Sequence, residues 1–174
     1  TSSNTDIAQA SIQYKPREAK TMTLDVQQLA QAQQNNSAEV LGGQAATENM
    51  NFQIESAQGR VINVNVNSLY DDGTSKTNRQ MLREAAEQIN GAGGNVRAKV
   101  IEKDGNVSLQ ISGKETGRHN AFTVSGNFGP AKDLDQERTS AQNAEYTVTE
   151  NGVTKSYASD TNSIGLDLGR IGVQ

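Results

Sequence analysis

Residues 77–112 read TNRQMLREAAEQINGAGGNVRAKVIEKDGNVSLQIS, and this stretch decides the fold class. Thr77 is a good helix N-cap, and Gln80, three residues on, can return its side-chain amide to the cap's own N–H. Met81, Leu82, Ala85, Ala86 and Ile89 then recur at the spacing of one helical face, while Arg83, Glu84 and Glu87 face the other way. The apolar stripe is rich in small residues, which lets the helix lie close against a sheet. The glycines of NGAGG at 90–94 end it, because glycine takes the left-handed cap conformation at little steric cost. The period then changes to two. Val107, Leu109 and Ile111 alternate with Ser108, Gln110 and Ser112, and Asp104–Gly105 between the two runs is a strong hairpin signal. A capped helix feeding an antiparallel hairpin predicts an α+β fold, mostly antiparallel β-strands with one packed helix.

Working outward, the same period of two recurs. Met22, Leu24 and Val26 share one face of KTMTLDVQQLA, which begins at Lys20. Met50, Phe52 and Ile54 alternate in one strand, and Ile62, Val64 and Val66 in the next, with Gly59 in the short turn between them. Phe122 and Val124 mark another strand. Tyr146 and Val148 lead to a turn at Asn151–Gly152 and a strand from Val153, and Ile164, Leu166 and Leu168 alternate near the end. Residues 31–48 are poor in apolar side chains and read as a loop bent at Gly42–Gly43. Residues 127–140 carry a proline and a charge run. The expected organisation is an extended arm over 1–19, an α+β domain over 20–127, a linker over 128–140 and a β segment over 141–174.

Composition narrows the function classes. Only 33% of the 174 residues are apolar and 4% aromatic, against roughly 45–50% apolar (glycine included) in ordinary domains. Gln, Asn, Ser and Thr fill the balance, which predicts a lean, elongated, β-rich body. A net charge of −4 and the visible strand periods argue against disorder. The absence of cysteine removes disulfides, thiolate catalysis and cysteine zinc sites; it suits a cytosolic protein and a bacterial surface protein equally. No apolar run reaches the length of a membrane span, and the start has no signal-peptide pattern. Lysine and arginine form no cluster of the kind nucleic acid requires. A chain opening on TSSNTDIAQAS and closing on RIGVQ reads as part of a longer protein.

Each candidate for chemistry has a structural alternative. His119, the chain's one histidine, sits with Glu115, Gly117 and Arg118 in SGKETGRHNAF, residues 112–122. A catalytic histidine needs one partner to orient the ring and a substrate proton beside the other nitrogen. In a turn-like stretch these side chains are expected to point to water. Asp71 and Asp72 in YDDGTS lack the alternating oxygen ligands and terminal bidentate Glu of a calcium loop, and an Asp-Gly turn explains them. Gly42–Gly43 precedes no capped helix and Gly93–Gly94 follows one, so neither pair cradles a phosphate at a helix N-terminus. No catalytic, cofactor-binding or metal-ligating residue is expected, and no nucleotide or metal cofactor.

These residues also carry a resemblance. LDVQQLAQAQ at 24–33, the helix ending QIN at 88–90 with its following glycines, VRAKVIEKDGNVSLQISGKETGRHNAFTV and AQNAEYTVTENGV at 141–153 resemble blocks of the flagellar filament cap family, also called hook-associated protein 2. This chain inserts Gly113 between Ser112 and Lys114 of the family's Ser-Lys-Glu-Thr-Gly turn. The resemblance implies elongated outer domains of a flagellar protein, in which Lys114, Glu115, Thr116 and Gly117 are a turn between strands. It further implies a secreted, extracellular structural protein of the bacterial flagellum that assists flagellin assembly at the filament tip and performs no bond chemistry. The implied partners are flagellin and other copies of the chain, with a host surface or mucus as a further one, and neither nucleic acid nor membrane. Three readings stay open: a cap or cap-like hook-associated paralogue, a variable outer domain of a flagellin, and an enzyme or ligand-binding module.

Overall fold

The computed structural model describes residues 10–12, 21–166 and 171–173. In chain order the strands are β1 (Ala10–Ile12), β2 (Met22–Gln28), β3 (Gln34–Asn36), β4 (Val40–Leu41), β5 (Met50–Ser56) and β6 (Val61–Val66), followed by helix α1 (Asn78–Gly91). β7 (Val96–Lys103), β8 (Asn106–Gly113), β9 (Phe122–Asn127) and β10 (Glu137–Thr139) come next, with a 3-10 turn at Arg118–Asn120. β11 (Ala144–Glu150), β12 (Val153–Ser159), β13 (Ile164–Leu166) and β14 (Ile171–Val173) complete the described elements. All pairings given for these strands are antiparallel. The α+β class read from residues 77–112 is the observed one.

Two compact units interleave along the sequence. One comprises residues 1–31, 116–118 and 142–174, the other residues 32–115 and 119–141.

The larger unit holds the helix. Thr77 caps it with a reciprocal box: the Gln80 N–H donates to Thr77 Oγ1 at 3.3 Å, and the Thr77 N–H donates to Gln80 Oε1 at 2.8 Å. Met81, Leu82, Ala85 and Ile89 are fully buried. Burying a side chain such as Leu82 stabilises the fold by roughly 1.5–3 kcal/mol. They pack with Met50, Phe52 and Ile54 of β5 and with Ile62, Val64 and Val66 of β6. Val107, Leu109 and Ile111 of β8 belong to the same core. One sheet has the order β6-β5-β9; in the other β8 is central, with β7 on one side and β3 and β4 on the other, and β10 beyond β3. Asp104 and Gly105 take φ of 50° and 82° between β7 and β8, the left-handed pair that a tight hairpin demands.

Two stretches differ from the sequence reading. Residues 31–48, expected as a loop, contain β3 and β4 and bury Gln33, Asn35 and Ser37 to 1%, 1% and 4% exposure. Polar residues escape a hydrophobic-period reading, yet here hydrogen bonds meet the requirement of burial. Residues 128–140, expected as a linker, bury Ala131 and Leu134 completely in the core and pair β10 with β3.

In the smaller unit β11 lies between β12 and β2. Tyr146 and Val148 are buried with Met22 and Leu24 packed against them, the face that the alternation predicted. Tyr146 stacks on its cross-strand neighbour Tyr157 with ring centroids 5.4 Å apart. The same unit contains the sheet β1-β14-β13. Apart from residues 10–12, the arm expected over 1–19 lies outside the described residues, as does Leu168.

Candidate functional site

The abundance of Gln and Asn has a structural use, because a side-chain amide offers the same donor and acceptor as a peptide group. Gln88 at the end of α1 accepts from Asn65 N at 2.9 Å and donates to Asn65 O at 2.7 Å, on edge strand β6. Asn90, two residues on, does the same to Ala98 on β7, both bonds 2.9 Å. Gln33 accepts from Phe122 N at 2.9 Å and donates to Phe122 O at 2.8 Å, on β9. In the smaller unit Asn162 holds both polar groups of Ala30, at 2.7 and 3.1 Å. Ser37 adds a variant: its hydroxyl accepts from Leu109 N at 2.9 Å where β3 and β4 leave a gap along β8. The QIN of residues 88–90 is thus an edge-covering device, two amides flanking a buried Ile89.

The turn around His119 is built from backbone requirements. Lys114 Nζ donates to Gly94 O at 2.8 Å in the larger unit. In the smaller one the Thr116 hydroxyl donates to Asp160 O at 2.6 Å and Arg118 N to Asn143 Oδ1 at 2.7 Å. Gly117 has φ 97°, and a Cβ there would stand 2.8 Å from Asp160 Cα. Glu115, Arg118 and His119 are exposed. The His119 carbonyl is a long 3.4 Å from Gln58 Nε2.

Asp72 caps a local turn. Its carboxylate accepts from the Thr74 hydroxyl at 2.6 Å and from Thr74 N at 2.9 Å. Those bonds, the hydroxyl's first, hold its pKa below the ordinary Asp value. Residues 67–71 with Thr47 and Asn49 line a hollow of about 500 Å³. Asn49 Oδ1 already accepts there from Ser68 N at 2.8 Å and from its hydroxyl at 2.9 Å. Among the described residues no group of three or more His, Cys, Asp or Glu side chains converges as a metal site would.

One glycine of each pair, Gly42 and Gly94, serves packing. Gly42 O accepts from Arg79 N at 3.0 Å and Gln44 O from Asn78 N at 2.9 Å, so the first amides of α1 are occupied by the chain itself. A Cβ on Gly42 would meet Val107 Cγ1 at 2.9 Å, and one on Gly94 would meet Ile62 Cδ1 at 2.7 Å. Charged side chains pair with one another. Glu102 accepts from Arg83 at 2.7 Å and Arg79 at 3.1 Å, which lowers its pKa, Arg83 contributing most. Lys76 Nζ reaches Glu84 at 2.7 Å and lies 5.3 Å from the Tyr70 ring centre.

No protein-family model and no curated protein matches the chain. Solved structures do. The D2–D3 domains of the flagellar cap protein FliD from Escherichia coli match over 99% of this chain and 89% of that one, with TM-score 0.69 and 24% identity. The D2–D3 domains of the Serratia marcescens cap protein match over 97% and 91%, with TM-score 0.67 and 22% identity. The Bdellovibrio bacteriovorus cap protein FliD matches over 98% and 89%, with TM-score 0.67 and 21% identity. The chain has the α+β fold of flagellar cap D2–D3 domains, the fold that the resemblance in its sequence implied.

Proposed function

We propose that the chain serves as the exposed outer region of a flagellar filament cap, a structural part that helps flagellin assemble at the filament tip. The observation that carries this reading is the extent of the fold match, which runs through both compact units and leaves almost no part of the chain outside it. The quoted sequence blocks support it independently, since Gln88 and Asn90 of one block have a demonstrable task in the fold. Its work is steric, without bond chemistry. Its partners are flagellin and other copies of the same protein, and its place is the extracellular end of the flagellum.

The surface suits that work. Contacts that form and release as subunits are added require polar, modest interfaces in place of large apolar ones. The exposed Thr and Ser residues of β12 and the exposed Asn and Gln residues of β5 and β6 are of that kind.

The test is an in-frame deletion of residues 1–174 from the protein that carries them. Filament growth or tip function should fail while the hook stays intact. Normal filaments would overturn the cap reading and favour the outer domain of a flagellin. Alanine at His119, Glu115 or Asp72 should leave filament growth unchanged; loss of growth in a folded variant would point to a chemical role.

A further inference from the structure

We propose that β12 is a docking edge for a second copy of this chain, the two strands pairing antiparallel about a two-fold axis at Ser156. A strand with unpaired peptide groups is a template for another strand unless something covers it. Side-chain amides cover β6, β7 and β9 at Asn65, Ala98 and Phe122. Among the described residues β12 receives no such amide and pairs only with β11. Residues 153–158 are all exposed, with Val153 and Tyr157 at 59% and 44%.

Hairpin geometry shows which groups are free. Asn151 and Gly152 both have positive φ, 53° and 77°, which makes a two-residue turn closed by the Val153 N–H donating to the Glu150 carbonyl. Peptide groups alternate along an antiparallel strand. Val153, Lys155, Tyr157 and Ser159 therefore address β11, and Thr154, Ser156 and Ala158 point away from it. The Thr149 and Thr154 hydroxyl oxygens, 2.7 Å apart, fit the closer cross-strand pairs that exchange no backbone bonds.

The residues then select one register and one occupant. Centred on Ser156, self-pairing sets Thr154 against Ala158 of the second copy and Ser156 against its counterpart. All the outward peptide groups of the strand are satisfied at once. Lys155 then stands opposite the Tyr157 ring of the second copy, a favourable cation–π contact. A register centred on Lys155 opposes like charges and draws in Gly152 from the turn. One centred on Tyr157 needs Asp160, whose carbonyl already accepts from Thr116 at 2.6 Å. A single strand pair buries less than the roughly 1,200–2,000 Å² of a stable complex, so the association is weak and concentration-dependent. The contact involves only the β11–β12 hairpin and is independent of the cap reading.

The chain contains no cysteine, so single thiols report directly on the contact. Counterpart Cα atoms at Ser156 would lie about 5.5 Å apart, within disulfide reach. Ser156→Cys should form disulfide dimers under mild oxidation on the order of tenfold faster than exposed Glu87→Cys, because pairing raises the local thiol concentration. Adding Thr154→Pro, which removes an outward N–H and leaves the β11 ladder intact, should return the rate to that of Glu87→Cys. A mixture of Thr154→Cys and Ala158→Cys chains should give heterodimers in preference to either homodimer, a result independent of whether the other variants fold. Equal rates for Ser156→Cys and Glu87→Cys, no effect of Thr154→Pro, or random pairing in the mixture would overturn the proposal and leave the edge to a strand of another chain.

Discussion

Gln33 shows how a polar side chain becomes core structure. Its amide is 1% exposed and bonds Phe122 twice and Asn35 Oδ1 once, at 2.9 Å. Gln33→Leu keeps the volume and strands those partners, so it should destabilise the fold by roughly 2–4 kcal/mol in denaturant unfolding, more than most surface changes. Tyr146 gives the pH counterpart. Burial first, and then the neighbouring Tyr157, raise its pKa above the ordinary 10.0. The unfolded chain ionises first as pH rises, so this contribution is whole below pH 10.0 and is lost as pH climbs through the raised folded value. Tyr146→Phe should flatten that alkaline loss in thermal unfolding followed against pH. Glu102 works in the opposite direction: its lowered pKa gives a contribution present above 4.5 and lost as pH falls through the folded value.

At the level of elements, α1 does two jobs. Its apolar stripe fills the core, and its last turn covers two sheet edges. These can be separated by substitution. Leu82→Asp places a carboxylate at a fully buried position and should cost several kcal/mol, seen as a large fall in thermal midpoint. Asn90→Ala leaves the stripe intact and removes the cover from Ala98 on β7. It should cost only about 1–2 kcal/mol, but the exposed edge should raise concentration-dependent association, measured by sedimentation.

For the whole molecule, the interleaving of the two units sets the order in which the chain can close. β2 pairs with β11, so residues 22–28 wait for residues 145–150. The larger unit, by contrast, has its helix, both its sheets and its core within residues 32–141. A chain of residues 32–141 should therefore fold alone, with the circular dichroism of one helix in a β background and a cooperative unfolding transition. A featureless spectrum would show that the larger unit depends on the smaller one.

How much of this was legible beforehand follows from what short-range chemistry controls. The capping box at Thr77 and Gln80, the stripe from Met81 to Ile89 and the turns at Asp104–Gly105 and Asn151–Gly152 depend on neighbours a few residues away, so the sequence alone determined them. The polar stretch over residues 33–36 carried no such signal, because it is held in place by Leu134, Phe122 and Ser112, which lie far along the chain. Ala131 and Leu134 likewise sit in a charged stretch and reach the core only through the tertiary fold. The exposed turn at His119 was readable, but the reason for Gly117, its close approach to Asp160, was not. The free edge of β12 belongs to the same class. Tyr146 and Asn151–Gly152 announce the hairpin, yet only the assembled sheets show that amides cover β6, β7 and β9 and that none is placed on β12, since that cover comes from side chains outside the strands they cover.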